Sequence, residues 1–179
     1  LKMRQIGKSG VNLINKEFWS DKKVLVTGHS GFKGSWLSLW LQQLNAKVAG
    51  ISLDPPSSPN LFDISNIDNG MKSYKADIRD LKKIEKIFTE FEPEIIFHLA
   101  AQSIVLKSYK DPIDTLNTNI IGTANLFECT KRIRTPKVFI NITSDKCYEN
   151  TINNNTHSES DPMGGDDIYS CSKGCSELI

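Results

Sequence analysis

The stretch that most constrains this chain is Lys23-Val24-Leu25-Val26-Thr27-Gly28-His29-Ser30-Gly31-Phe32-Lys33-Gly34-Ser35-Trp36. Val24, Leu25 and Val26 form an unbroken apolar run, the pattern of a parallel strand covered on both faces. Gly28, Gly31 and Gly34 follow as G-x-x-G-x-x-G. Glycines so placed let a chain turn tightly, approach a pyrophosphate closely and pack a helix back on the strand. That helix offers unpaired N–H groups and a positive dipole end to phosphate. His29, Phe32 and Lys33 fall within the same turn. Glycines also end strands and open loops, so the motif alone admits that plainer reading. The strand before it and the helix after it favour a nucleotide-binding turn.

A chain of 179 residues can bury one good core, and one domain is expected. A formal net charge of +1 argues against binding nucleic acid or membrane through bulk charge. No apolar run approaches the length of a membrane span. The four cysteines form no CxxC pair, Cys171 and Cys175 are expected to be free thiols, and a reducing, cytoplasmic setting fits them. His29, His98 and His157 lack metal-ligand spacing, and no metal is expected. The chain begins with Leu1 and stops at Ile179 inside a predicted helix, the pattern of a piece of something longer. Residues 1–15 read as a mobile polar tail and residues 16–179 as the folded domain.

Phe18 and Trp19 are placed to cover the edge of the core. A helix over about 33–44 carries Trp36, Leu37, Leu39, Trp40, Leu41 and Leu44, a stripe so wide that burial against a sheet is expected, tryptophans included. Asn45 is its expected C-cap. Val48–Leu53 reads as the second strand. Asp54 follows Gly34 by about 20 residues, the spacing of an acidic residue that holds an adenosine ribose and repels a 2′-phosphate. Ser52 in that position, or a plain turn role for Asp54 before Pro55-Pro56, are the alternatives. With no basic residue between Ile51 and Pro56, NAD is expected over NADP. Met71–Ala76 is a weak third strand running into Asp77 and Ile78, at a strand end where ligands bind in open α/β sheets. Asp80 caps a helix to about Phe91 with Leu81, Ile84, Ile87 and Phe88 inward.

The fourth strand, Glu94–Leu99, ends in Ala100-Ala101-Gln102, small residues that admit a flat ring or simply pack tightly. Asp111-Pro112 opens a helix to about Lys131, with Leu116, Ile120, Ala124 and Phe127 inward. Val138–Ile142 is the fifth strand and leads to Thr143-Ser144-Asp145-Lys146. A polar loop containing Asn153-Asn154-Asn155 follows, then a last helix entered at Tyr169. Five strands alternating with helices predict an α/β, Rossmann-like doubly wound parallel sheet with its strand ends on one rim.

Tyr169 and Lys173 lie four apart, on one face of that last helix. An ammonium beside a phenol favours the phenolate. Such a tyrosine takes a proton from an alcohol while a hydride leaves the same carbon. Ser144 is placed to bond that alcohol oxygen. An isolated Y-x-x-x-K is often only an exposed helix pair. Standing 25 residues after Ser144 and downstream of the glycine turn, it becomes specific.

Taken together, Thr27-Gly28-x-x-Gly31-x-x-Gly34, Asp77-Ile78-Arg79-Asp80, His98-Leu99-Ala100-Ala101-Gln102, Asn119-Ile120-Ile121-Gly122-Thr123 and Tyr169-x-x-x-Lys173 resemble the extended short-chain dehydrogenases/reductases, from about residue 15 to 179. Four shorter strings are similar to the CDP-glucose 4,6-dehydratase family within it. They are Thr27-Gly28-His29-Ser30-Gly31-Phe32-Lys33-Gly34, Ile142-Thr143-Ser144-Asp145-Lys146-Cys147-Tyr148, Met163-Gly164-Gly165 and Ser172-Lys173-Gly174-Cys175. The resemblance implies a longer enzyme, truncated here before a C-terminal substrate domain. It implies NAD, held around the glycine turn by Gly28, His29, Gly31, Phe32, Lys33 and Gly34. Asp54, Asp77, Ile78, Leu99, Ala100, Ala101, Gln102, Asn119, Tyr169 and Lys173 complete that implied set. The implied substrate is the sugar nucleotide CDP-glucose.

In the implied chemistry Tyr169 removes the hydroxyl proton at sugar carbon 4, water leaves across carbons 5 and 6, and a 4-keto-6-deoxy sugar results. Asp145 protonates the departing carbon-6 oxygen. Lys146 either takes the carbon-5 proton or only binds charge; related dTDP-glucose dehydratases carry Asp-Glu there. The resemblance also implies a homodimer through the helices beginning at Asp111 and near Tyr169. Lys33, where many relatives have an apolar residue, and Ile168, where proline is expected, depart from the pattern. An epimerase or decarboxylase of the same superfamily is a second reading, disfavoured by Asp145-Lys146. An inactive NAD-binding module is a third.

Overall fold

The computed structural model describes residues 14–149 and 156–179. Residues 1–13 of the predicted tail and the Asn153–Asn155 loop lie outside the described residues. The elements run α1 (Lys16–Trp19), β1 (Lys23–Thr27), α2 (Phe32–Gln43), β2 (Lys47–Ser52), α3 (Leu61–Ile64), β3 (Met71–Lys75), α4 (Leu81–Phe91), β4 (Ile95–His98), α5 (Val105–Lys110), α6 (Pro112–Leu116), α7 (Gly122–Ile133), β5 (Val138–Asn141) and α8 (Ile168–Leu178). The five strands form one parallel sheet in the order β3-β2-β1-β4-β5. This is the doubly wound arrangement read from the alternation of strands and helices. The chain reverses direction across the sheet between β1 and β4, which opens a crevice at their C-terminal ends.

Alternation along the strands divides the core in two. Leu25, Ala49, Ile51 and Ile96 point to one face, where they meet Ile84, Ile87, Phe88 and Phe91 of α4 and Leu126 and Cys129 of α7. Val24, Val26, Val48 and Ile95 point to the other, toward Leu41 of α2, with Trp19, Leu37 and Phe97 packed around them. Trp19 thus covers the core edge as expected, while Phe18 stays exposed. Asp80 caps α4 by accepting a hydrogen bond from the Lys83 amide, and Ile84, Ile87 and Phe88 face inward.

Three expectations are overturned. Helix α2 buries Gly34, Ser35, Ser38 and Leu41, while Trp36 and Trp40 are 54% and 53% exposed. The cause is proximity: a Cβ on Gly34 would lie 2.1 Å from the Gly28 carbonyl oxygen, so the helix sits against the glycine turn and only small side chains fit beneath it. The bulky residues therefore turn outward. Leu44 rather than Asn45 ends this helix, and Asn45 takes the left-handed position after it, at φ 61°.

The helix expected from Asp111 to Lys131 begins as foreseen, with Asp111 as cap and Pro112 in the first turn, but is broken by a π-helical turn over Asn117–Ile121. The wider turn shifts which side faces inward. Thr115, Asn119, Thr123 and Leu126 are buried, whereas Leu116, Ile120, Ala124 and Phe127 are only half-buried. Helices α1, α3 and α5 had no counterpart in the sequence reading.

Candidate active site at the rim of the sheet

Gly28 ends β1 at φ 74°, in the left-handed region, and its amide donates to the Ile51 carbonyl at 2.7 Å. A Cβ there would meet the Ala100 amide at 2.8 Å, so only glycine lets this turn lie against the end of β4. Ser30 Oγ ties the turn to the Leu53 carbonyl at 3.0 Å, and Ser35 Oγ reaches back to the His29 carbonyl at 3.0 Å. Gly31 is the N-cap of α2, and no side chain caps this twelve-residue helix. Phe32 and Lys33 in its first turn are exposed, and the N–H groups there have no side-chain partner.

Several residues assigned to a ligand from sequence are occupied inside the protein. The His29 ring is buried against Gly50, with Nε2 2.7 Å from Ser73 Oγ. Burial lowers its pKa to about 4, and the nearby Ile51 backbone offsets only part of this. Asn119 braces the crevice: the Gln102 amide donates to its Oδ1 at 2.8 Å, and its Nδ2 donates to the Gln102 carbonyl at 3.1 Å and to Ser172 Oγ at 2.8 Å. The Gln102 side chain is engaged with Thr115 and Ile104. Ile78 packs its side chain under Gly122. Ala100, Ala101 and Leu99 remain partly exposed along the rim.

Sequence reasoning missed the buried chain Thr27–His98–Thr123. Thr123 Oγ1 spends its proton on the Asn119 carbonyl at 2.6 Å, so it must accept from His98 Nε2 at 2.9 Å. His98 Nδ1 then accepts from Thr27 Oγ1 at 2.7 Å, while Thr27 Oγ1 itself accepts from the amides of Leu99 and Ala100, both at 3.1 Å. Every proton is accounted for only with a neutral ring protonated at Nε2. Burial, then the nearby Lys173 charge, lowers the His98 pKa to about 3, in keeping with that state. The available signal was a polar residue closing each of two apolar strands.

Helix α8 carries Tyr169 and Lys173 one turn apart, both buried, with Lys173 Nζ 5.9 Å from the centre of the Tyr169 ring. Burial depresses the Lys173 pKa; Glu177 opposes this and Lys33 adds to it. Asp167 starts the helix by accepting from the Ser170 amide at 2.9 Å. On the facing side, β5 ends in a short 3₁₀ turn, Asp145–Cys147, capped by Ser144, whose Oγ accepts from the Lys146 amide at 3.1 Å and donates to Asp145 Oδ1 at 3.0 Å. The two elements touch closely: a Cβ on Gly174 would lie 3.3 Å from the Cys147 carbonyl and 3.4 Å from that of Gly164. The Asp145 and Lys146 side chains are exposed. Burial pushes the Asp167 carboxyl upward, but the Ser170 and Tyr169 hydrogen bonds and the nearby Lys146 charge together hold it below its ordinary value.

At the outer rim, Asp77 is held by Arg79, whose Nη2 is 2.5 Å from Oδ2, and Arg79 also reaches Asp114 at 2.6 Å. This keeps the Asp77 carboxyl below the usual range despite partial burial. Asp54 is exposed, with Oδ2 2.6 Å from Lys75 Nζ. A basic residue therefore stands beside it, delivered by β3 rather than by the segment following β2. All four cysteines are free thiols, and no helix among the described residues is long and apolar enough to cross a membrane.

A parallel sheet with this order, a glycine turn at its switch point and a Tyr-Lys pair beside the end of β5 define an extended short-chain dehydrogenase/reductase. Residues 25–179 match the family described as GDP-mannose 4,6 dehydratase, and the chain belongs to that family. It is 51% identical over 167 residues to CDP-glucose 4,6-dehydratase of Salmonella typhimurium, covering 93% of this chain and 46% of that protein. It is 32% identical to dTDP-D-glucose 4,6-dehydratase of Dictyostelium discoideum, covering 92% of this chain and 41% of that one. A solved structure of UDP-glucose 4-epimerase from Thermus thermophilus in complex with NAD superposes with a TM-score of 0.76 at 28% identity, over 87% of this chain and 48% of the other. The chain thus spans less than half the length of these relatives.

Proposed function

We propose that this chain is the cofactor-binding half of an NAD-dependent sugar-nucleotide 4,6-dehydratase acting on CDP-glucose. The observation that carries the reading is the seating of α8 against the Asp145–Cys147 turn. Gly174 packs the helix that carries Tyr169 and Lys173 against the turn that carries Asp145 and Lys146, which Ser144 caps. A dinucleotide fits the rim: the positive-φ turn at Gly28, a helix start at Gly31 free of side-chain caps, and a partly exposed Ala100-Ala101 edge are features that accept a pyrophosphate and a flat ring. NAD, when bound, supplies the acceptor for the carbon-4 hydride and returns it to carbon 6.

The chain's own residues handle protons. Tyr169 takes the carbon-4 hydroxyl proton, with the Lys173 ammonium over its ring. Ser144 orients the alcohol oxygen. Asp145 gives a proton to the departing carbon-6 oxygen. Lys146 either takes the carbon-5 proton or holds charge. Exposed Ile113, Ile121 and Tyr109 support a homodimer through the α6–α7 side. A cytoplasmic location accords with the free thiols.

The test is single-turnover absorbance at the NADH band after mixing the full protein with CDP-glucose. Tyr169→Phe should form NADH about 10²–10⁴-fold more slowly. Asp145→Asn keeps the shape but gives no proton, so NADH should accumulate and persist. Accumulation in Tyr169→Phe and none in Asp145→Asn would overturn the assignment.

A further inference from the structure

Asp54 and Lys75 pair at the rim, where β2 and β3 end side by side. Ser52, the last residue of β2, lies in register beside Lys75, the last residue of β3. The two strand ends therefore reach the rim side by side. Asp54, two residues beyond β2, stands where the Lys75 ammonium meets it at 2.6 Å. Both side chains are about 70% exposed, so neither is locked by packing and the ammonium can swing to another anion.

A solitary carboxylate at this point has two effects: it accepts hydrogen bonds from the ribose hydroxyls of NAD, and it repels the 2′-phosphate of NADP. An ammonium in contact with it cancels much of the repulsion and adds a donor for the phosphate. We propose that Lys75 is a specificity-determining residue for the dinucleotide, and that it narrows the preference for NAD by giving the 2′-phosphate of NADP a cationic partner. The proposal rests on the dinucleotide reading above and adds to it a residue from a different strand. In this arrangement Asp54 sets the direction of the preference and Lys75 sets its size.

Calorimetric titration of the full protein with NAD and with NADP reads this without any turnover. Lys75→Met should weaken NADP by about five- to tenfold relative to NAD, and Lys75→Arg should restore the original ratio. Asp54→Ala should tighten NADP and weaken NAD. The double variant Asp54→Ala/Lys75→Met should lose that NADP gain, which shows that the gain belongs to the ammonium. The NADP affinity of the unaltered protein should fall with added salt more steeply than that of Lys75→Met. An unchanged NAD-to-NADP ratio in Lys75→Met, with NAD still bound, overturns the inference and leaves the dinucleotide reading standing. Failure of the unaltered protein to bind either nucleotide overturns both. Because Lys75 is exposed, its replacement should leave the unfolding midpoint unchanged, so a changed ratio reports on the site.

Discussion

The two faces of the sheet are finished differently. On the side of α4 and α7, Leu25, Ile51, Ile84, Phe88, Ile96 and Leu126 are fully buried, and the polar chain Thr27–His98–Thr123 has every proton placed. On the side of α2, small residues face inward and two tryptophans face outward. Two buried polar atoms lack a hydrogen-bond partner among the described residues, His29 Nδ1 and Ser38 Oγ, and both lie on this second side. The first face is packed to hold the fold. The second gives up packing volume so that the start of a helix can stand against Gly28.

The sharpest way to break this comparison is to remove volume from the well-packed face. Phe88→Ala should cost about 3–5 kcal/mol, since its ring is wholly buried between α4 and the strands. A urea-unfolding midpoint close to that of the unaltered protein would show that the α4 face does not dominate stability.

Acid should act next, on one histidine from each face. Both have folded pKa values below the ordinary 6.5, about 4 for His29 and about 3 for His98, with burial as the main cause. Folding therefore favours their neutral forms. Their contribution is complete above about pH 6.5 and is lost as the pH falls toward the folded values; by pH 5 each has given up about 2 kcal/mol. Urea titrations at pH 7 and pH 5 measure the sum, and His29→Asn should remove about half of the difference. Equal stability at the two pH values would contradict the burial of both rings.

The smallest effect sharpens the comparison from the other side. Ser38→Ala removes a buried hydroxyl that has no partner, so it should be neutral or stabilising by up to about 1 kcal/mol. A clear loss of stability would mean that this hydroxyl is satisfied and that the α2 face is as complete as the other.

Much of the fold was legible in order along the chain. The apolar runs at Val24, Val48 and Ile95 each became a strand of the sheet's buried middle, because a strand buried on both faces writes itself as an uninterrupted apolar segment, and the run at Val138 became the partly exposed edge strand. Asp80 and Asp111 announced their helices, because a cap acts on amides only two or three residues away. The candidate catalytic set was legible for a similar reason: Tyr169 and Lys173 are tied by one helical turn, and Ser144, Asp145 and Lys146 are consecutive. The orientation of α2 was not. Counting apolar residues on a helix says how much could be buried, and the decision fell to a close contact with Gly28 that spacing does not encode. The π turn at Asn117–Ile121 was likewise hidden, since Asn119 is held there by Gln102 and Ser172, both distant in sequence.

The sequence by itself determined the parallel sheet, the glycine turn, the helix caps and the family, because these rest on periodicity, short-range hydrogen bonding and contiguous motifs. The tertiary structure alone decided which polar groups are free to meet a ligand and which are spent holding the rim. His29 turned inward to Ser73, 44 positions away, Asn119 to Gln102 and Ser172, 17 and 53 positions away, and Asp54 acquired Lys75, because these residues meet only where packed strands and helices bring them together. No local rule brings such residues together; the sheet has to form first.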